Sequence, residues 1–332
     1  MKKHLYPIAT ILSLLFISGC STQQASTDAT IATESVSQTT ETLLSAENEA
    51  ASNPIEAAEE LLSSTEQTES GSNLTENTES TPSPEILHFV DVYGEEYQVE
   101  INPNIKKHTY QLASFIYENE KLTYTGDSNY SYRLGIDVSH YQDSIDWQAV
   151  KDSGIEFVFI RLGYRGYGEE GSLCLDKRFH QNIQNAQAAG LDVGVYFFAQ
   201  AINEEEAKEE AGFVLQALSD YDLQLPVVYD PESILHTEAR TDDVSGEQFT
   251  KNTIAFCETI ADAGYQPMIY CNMLWEAYML DLEQLSVYPV WYADYEALPQ
   301  TPYHFEYWQY SNTGRVNGIS GDVDLNIQLI PN

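Results

Sequence analysis

From Arg133 onward the chain alternates short apolar runs with stretches of helical spacing, and that alternation constrains the fold more than any other feature. The apolar runs are Leu134 to Val138, Phe157 to Leu162, Val193 to Phe198, Leu225 to Tyr229, Pro267 to Tyr270, Tyr288 to Tyr292 and Phe305 to Tyr310. Helical periodicity fills Trp147 to Ser153, Lys177 to Ala189, Asn203 to Leu218 and Gly246 to Ala263. Strands separated by helices pair in parallel, because each helix returns the chain over the sheet face. With about 200 residues and a late section that loses its helices, the pattern predicts an α/β chain folded as a β/α barrel whose last strands are joined by loops. An open doubly wound sheet is the alternative. It calls for a Gly-rich turn after the first strand, and Asp137-Val138-Ser139-His140 is not one.

The residues before Arg133 follow other rules. Lys2 and Lys3 precede an apolar run from Leu5 to Ile17, too short for a bilayer core of about 30 Å, which reads as an export signal. Ile17-Ser18-Gly19-Cys20 follows and resembles the bacterial lipoprotein box. That resemblance implies a signal peptide over 1–20, cleavage before Cys20, and a lipidated Cys20 that anchors the chain to the outer face of the cell membrane. Several acyl chains hold where one is marginal. Residues 21–85 carry 13 acidic residues, no Lys or Arg, and mostly Ser, Thr, Gln, Asn and Ala. Such a segment cannot bury enough apolar surface to offset its chain entropy, and as a disordered acidic tether it reaches about 40–50 Å. Residues 86–130 are expected to form a small β-rich accessory segment that packs on the following domain, the alternative being an independent wall-binding module. Its signals are a hairpin, His88 to Tyr93 and Tyr97 to Ile101 around Gly94-Glu95-Glu96, and a strand at Leu122 to Thr125.

Charge narrows the partners. The 332 residues hold 15 Lys+Arg against 52 Asp+Glu, a net charge of −37, and 86–332 alone hold 13 basic and 39 acidic residues. Nucleic acid and anionic membrane surfaces are excluded as electrostatic partners. Aromatics at 12% suit a cleft that stacks sugars. Within the βα region, Asp137 ends the first apolar run, Asp230 and Glu232 end the fourth, Asp294 follows Tyr292, and Asp324 lies near the chain end. A barrel gathers these strand ends on one rim. Asp230 and Glu232 are two apart, so they project to the same side if the strand continues through Pro231. Paired carboxylates are what acetal cleavage needs: one protonated to donate to the leaving oxygen, one negative beside the oxocarbenium-like centre. Crowding raises the proton affinity of at least one.

Local sequences sharpen this. Leu134-Gly135-Ile136-Asp137-Val138-Ser139-His140-Tyr141-Gln142, Ile145-Asp146-Trp147, Phe157 to Arg161, Gly194-Val195-Tyr196-Phe197-Phe198, Pro226 to Glu232, Trp291-Tyr292-Ala293-Asp294-Tyr295, Trp308-Gln309-Tyr310 and Val323-Asp324-Leu325-Asn326 together resemble, in order over 134–328, the glycoside hydrolase family 25 lysozymes, the N-acetylmuramidases. The resemblance implies a flattened, TIM-like β/α catalytic barrel over 131–332 that hydrolyses the β-1,4 bond from N-acetylmuramic acid to N-acetylglucosamine in peptidoglycan glycan strands. Glu232 matches the proton donor and Asp230 the second carboxylate, acting either as nucleophile or by orienting the substrate's 2-acetamido group. Asp137 and Asp324 match acidic residues of the same cleft. Pro231 departs from the usual aliphatic residue, which a strand tolerates at its very end. Tyr196, Tyr270, Trp291, Asp294 and Trp308 are candidates for sugar stacking and hydroxyl binding.

Other chemistry finds no support. There is no His-Glu-x-x-His or Cys-x-x-Cys spacing and no Gly-x-Ser-x-Gly elbow, so no metal or cofactor is expected. A monomer is expected. Cys257 and Cys271 have the option of a disulfide, although three thiols leave one unpaired. Gly163-Tyr164-Arg165-Gly166-Tyr167-Gly168 reads as a mobile rim loop, and Glu204, Glu205, Glu206, Glu209 and Glu210 as a solvated helix face. The remaining readings are a barrel that binds wall glycan without cutting it and a hydrolase of chitin-type glycans.

Overall fold

The computed structural model describes residues 83–332 except Tyr93, Asn119, Glu120, Leu235 and His236. The expected export signal, Cys20 and all but the last three residues of the tether lie outside the described residues.

Eight strands close into a barrel: β5 (Tyr130–Val138), β6 (Phe157–Arg165), β8 (Asp192–Ala199), β9 (Val227–Pro231), β10 (Pro267–Asn272), β11 (Val290–Ala293), β12 (Tyr307–Gly314) and β13 (Val323–Pro331). Every neighbouring pair from β5 round to β12 is parallel, while β13 runs antiparallel to both β12 and β5 and seals the ring. Helices α1 (Trp147–Asp152), α2 (Phe179–Ala188), α3 (Glu204–Ala217) and α4 (Gly246–Asp262) cover β5 to β10. After β10 a π-helical turn, Trp275–Met279, replaces the helix, and β11, β12 and β13 are joined by loops. Three of the four helices start where a short polar side chain accepts an orphan amide: Asp146 from Ala149, Asn203 from Glu206, Ser245 from Gln248.

The two-residue strand period sorts side chains into two cores. Val158, Ile160, Val195, Phe197, Val227, Tyr229, Ile269 and Tyr292 point out to the helices, whereas Phe157, Phe159, Val228, Met268, Trp291 and Tyr307 fill the barrel. Gly194 is where this interior is tightest. A Cβ there would stand 2.5 Å from the Phe159 ring and 2.8 Å from the Pro226 carbonyl oxygen, so only glycine admits Phe159.

Ahead of the barrel, β1 (Ile86–Val90) pairs with β2 (Glu96–Glu100), and β3 (Phe115–Glu118) with β4 (Lys121–Tyr124), both antiparallel. Their buried residues Phe89, Phe115, Leu122 and Tyr124 belong to the same core as the outer barrel face. Phe115 sets its ring edge on Trp308 at 5.3 Å. Gln300 behaves like a strand partner of β1, accepting from Val90 N at 2.8 Å and donating to Val90 O at 2.9 Å.

Three expectations need correcting. The Gly163 to Gly168 stretch is no rim loop throughout: Gly163 to Arg165 complete β6, which turns back into β7 (Leu173–Leu175) with Gly166 N on Ser172 O at 2.9 Å. The acidic run is not all solvated, because Glu210 is fully buried against Arg165 at 2.9 Å and Glu206 binds Arg240. Cys257 and Cys271 are free, buried thiols on α4 and β10. Among the described residues no helix is long and apolar enough to cross a membrane.

Candidate active site

The parallel strands all end at the same rim, and β13 begins there. Asp324 is therefore the register partner of Asp137 across the β13–β5 pair. Asp137, 4% exposed, accepts from Gln309 Nε2 at 2.9 Å and Asn326 Nδ2 at 2.8 Å on one oxygen, Oδ2. The orientation of both amides is determined by their other ends: Gln309 Oε1 accepts from Tyr270 OH at 3.1 Å and Tyr295 OH at 2.9 Å, and Asn326 Oδ1 from Trp291 Nε1 at 2.8 Å. Their amino groups must then face Asp137, which makes its Oδ2 an acceptor. Burial pushes the Asp137 carboxyl above its ordinary range, and hydrogen bonds from Asn326, Gln309 and Asp324 offset part of that rise. Asp324 is pushed well above the usual range, first by burial and then by the Asp137 charge and their shared hydrogen bond. The pair is thus an acid, Asp324, donating to a carboxylate, Asp137.

Asp230 lies within the end of β9 and Glu232 two residues on. Asp230 is 6% exposed, and its Oδ1 is buried with no hydrogen-bond partner. Burial raises its proton affinity most, followed by the charges of Glu232 and Asp137, against the opposing charge of Arg161. The Glu232 carboxyl, partly buried, is pushed up to about 7 by burial and then by Asp137. Near neutral pH a substantial fraction of Glu232 is therefore protonated beside the Asp137 carboxylate, as a general acid must be. Pro231 pairs with Ala199 at the last position of β9, so its missing amide costs no interior ladder bond.

Arg161 is the cation of this wall. It is 8% exposed, pairs in register with Tyr196, and gives both Nε (2.9 Å) and Nη2 (2.8 Å) to Asp176 Oδ2. Its guanidinium sits 5.2 Å and 5.5 Å from the centroids of the Tyr141 and Tyr164 rings.

The structure brings Asp137, Asp230, Glu232, Asp324, Tyr196 and Tyr270 together; both tyrosines feel the charges of Asp137 and Asp230. Trp291 lies beneath them, 1% exposed and stacked on Phe159 at 4.7 Å, as floor rather than sugar platform. Trp308 and Asp294 are elsewhere. Trp308 is fully buried on the outer face with Nε1 on Asp294 O at 2.8 Å, and the Asp294 carboxylate is occupied by Tyr292 OH (2.6 Å), Gln300 N (3.0 Å) and Glu296 N (3.1 Å). Both follow the outward parity of Tyr292, and neither is free for substrate. Residues not singled out in the sequence, Arg161, Tyr295, Gln309 and Asn326, complete the site. Their signal is the same parity, since Gln309 is two residues from Tyr307 and Asn326 two from Asp324.

Residues 136–319 match the model of the glycosyl hydrolases family 25. The chain belongs to that family. This family 25 member is a glycoside hydrolase, and is 31% identical over 219 residues to lysozyme M1 of Streptomyces globisporus, covering 60% of this chain and 69% of that one. To the autolytic lysozyme of Clostridium acetobutylicum it is 29% identical over 192 residues, covering 58% and 54%. The modular autolysin LytC from Streptococcus pneumoniae, solved in complex with a synthetic peptidoglycan ligand, shares its fold with TM-score 0.53 at 23% identity, covering 73% of this chain and 56% of that one. The chain thus spans between about half and about two thirds of the length of these relatives.

Proposed function

We propose that this family 25 glycoside hydrolase is a lysozyme, a 1,4-β-N-acetylmuramidase acting on peptidoglycan. The observation that carries it is the pairing of a carboxyl poised near neutrality, Glu232, with a buried carboxyl oxygen lacking any partner, Asp230 Oδ1. Glu232 gives its proton to the leaving glycosidic oxygen and then takes one from water. Asp230 Oδ1 accepts the N–H of the substrate's 2-acetamido group, orienting its carbonyl oxygen onto the anomeric carbon. Asp137 and Asp324 tune the acid and hold the sugar, with Tyr196 and Tyr270 at its edge.

The site sits in a barrel proposed to span 131–332 and to work from the outer membrane face. Cys20 carries the lipid, and 21–85 act as the tether. Wall polymers are largely anionic and the folded part is acidic, so the tether rather than charge supplies local concentration.

The test is digestion of purified peptidoglycan, with the products reduced and identified by mass spectrometry. N-acetylmuramic acid at the new reducing end, absent with Glu232→Gln, is the expected result. Ends in N-acetylglucosamine, or cleavage of chitin oligomers instead, would change the bond assigned, and binding without products would leave a glycan-binding barrel.

A further inference from the structure

Gln200, immediately after β8 and 1% exposed, has all four of its polar groups engaged. Its Nε2 donates to the Glu232 carbonyl oxygen at 2.7 Å, its Oε1 accepts from Thr241 Oγ1 at 2.8 Å, its carbonyl accepts from Arg240 Nη1 at 3.0 Å, and its amide donates to Glu210 Oε1 at 3.2 Å. One residue therefore grips both ends of the segment 232–241. The parallel ladder stops at Pro231, so the Gln200 side chain continues it by one bond where no strand does.

What holds Gln200 is equally built. Arg240 makes a two-pronged pair with Glu206 at 2.5 and 2.8 Å, and its amide donates to Tyr167 O at 2.9 Å. Arg165, 4% exposed, gives Nε to Glu210 Oε1 at 2.9 Å, Nη2 to Glu206 O at 2.9 Å and Nη1 to Gly171 O at 2.8 Å. Gly171 has φ +53°, and a Cβ on it would stand 2.5 Å from the Arg240 guanidinium carbon. The glycine-rich turn and the acidic first turns of α3 thus form one cross-linked block. Charge-assisted, bidentate bonds of this kind are the directional ones.

We propose that Gln200 is a positioning residue for hydrolysis: anchored through Arg240, Glu206 and Arg165, it clamps the Glu232 backbone and so aims the Glu232 carboxyl at the glycosidic oxygen. The inference rests on Glu232 being the acid. A displaced acid loses rate more than affinity, since misplacement by about 1 Å costs on the order of 10²-fold.

Gln200→Met keeps the length of the side chain and deletes both side-chain bonds. The full-length protein carrying it is expected to hydrolyse peptidoglycan with kcat lowered about 10- to 100-fold and KM changed less than about twofold. A released carboxyl gains water, so the alkaline limb of the profile, where Glu232 loses its proton, is expected to move to lower pH. Thr241→Val removes one of the two bonds and should shift kcat and limb the same way by less; it replaces Gln200→Met as the deciding variant if that protein does not fold. Glu232→Gln is measured beside them. If it retains activity, the acid assignment and the clamp both fall. If it is inactive while Gln200→Met, corrected for folded fraction, keeps the parent kcat and limb, the clamp alone is overturned.

Discussion

Asp324 stands opposite Asp137 across the β13–β5 pair and donates a hydrogen bond to it. Because the strand that closes the barrel runs antiparallel, its first residues rather than its last reach the rim where Asp230 and Glu232 lie. An acid and a carboxylate are thereby held as one unit beside Glu232, with Gln309 and Asn326 dictating which of the two is charged.

Asp137 supplies the neighbouring charge that helps keep Glu232 protonated. Asp137→Asn removes it and still offers an oxygen to Gln309 and Asn326. The raised Glu232 pKa should then fall from about 7 toward the ordinary range, and an enzyme that needs Glu232 protonated should lose activity at lower pH than the parent. The alkaline limb of kcat/KM against pH measures this; a limb left in place would separate Asp137 from the acid.

Burial raises Glu276 to about 8 and Glu210 to about 7. A carboxyl whose folded pKa exceeds its unfolded one binds its proton more tightly when folded. The stability it contributes is complete below about pH 4, then is lost as pH rises to the folded value. Melting temperature should therefore decline from pH 5 to pH 8. Glu276, 7% exposed and accepting from Thr301 Oγ1, offers a clean check. Glu276→Gln should raise the melting temperature at pH 8 and leave it nearly unchanged at pH 5, and equal effects at both would contradict the assignment.

Arg161 and Asp176 form a buried pair, 8% and 2% exposed, with Asp176 held below the usual carboxylate range by Arg161 despite its burial. Arg161→Met leaves Asp176 without its cation and should cost about 3–5 kcal/mol in urea unfolding. Replacing Asp176 by Asn in the same chain should recover part of that loss, because the stranded charge goes with it. No recovery would place the cost in packing rather than charge.

The convergence of Asp137, Asp230, Glu232 and Asp324 is legible in the sequence because strand ends follow from apolar runs, and a barrel leaves those ends one place to meet. Facing is less legible. In Trp291-Tyr292-Ala293-Asp294-Tyr295 the inward set is 291, 293 and 295, so Tyr295 joins the site and Asp294 leaves it, and register decides which set that is. Trp308 went to the outer face for the same reason, Tyr307 and Gln309 holding the inner one. The Glu204 to Glu210 run misleads because its partners come from elsewhere in the chain, Arg165 from the end of β6 and Arg240 from the loop ahead of α4, and charge spacing along one helix contains no trace of them.

Gly194 links barrel packing to the site. Its missing Cβ makes room for Phe159, which stacks on Trp291 at 4.7 Å; Trp291 Nε1 orients Asn326, and Asn326 donates to Asp137. Gly194→Ala puts a methyl 2.5 Å from the Phe159 ring with the Pro226 carbonyl behind it, so the ring must move. Overpacking of this kind costs about 1–3 kcal/mol. Displacing Trp291 also loosens Asn326, so kcat should fall by more than the folded fraction explains. A second change, Phe159→Leu, frees the space the new methyl needs. The double variant should regain stability over Gly194→Ala in urea unfolding, while a further loss would mean that the strain of the single variant lies against Pro226 instead.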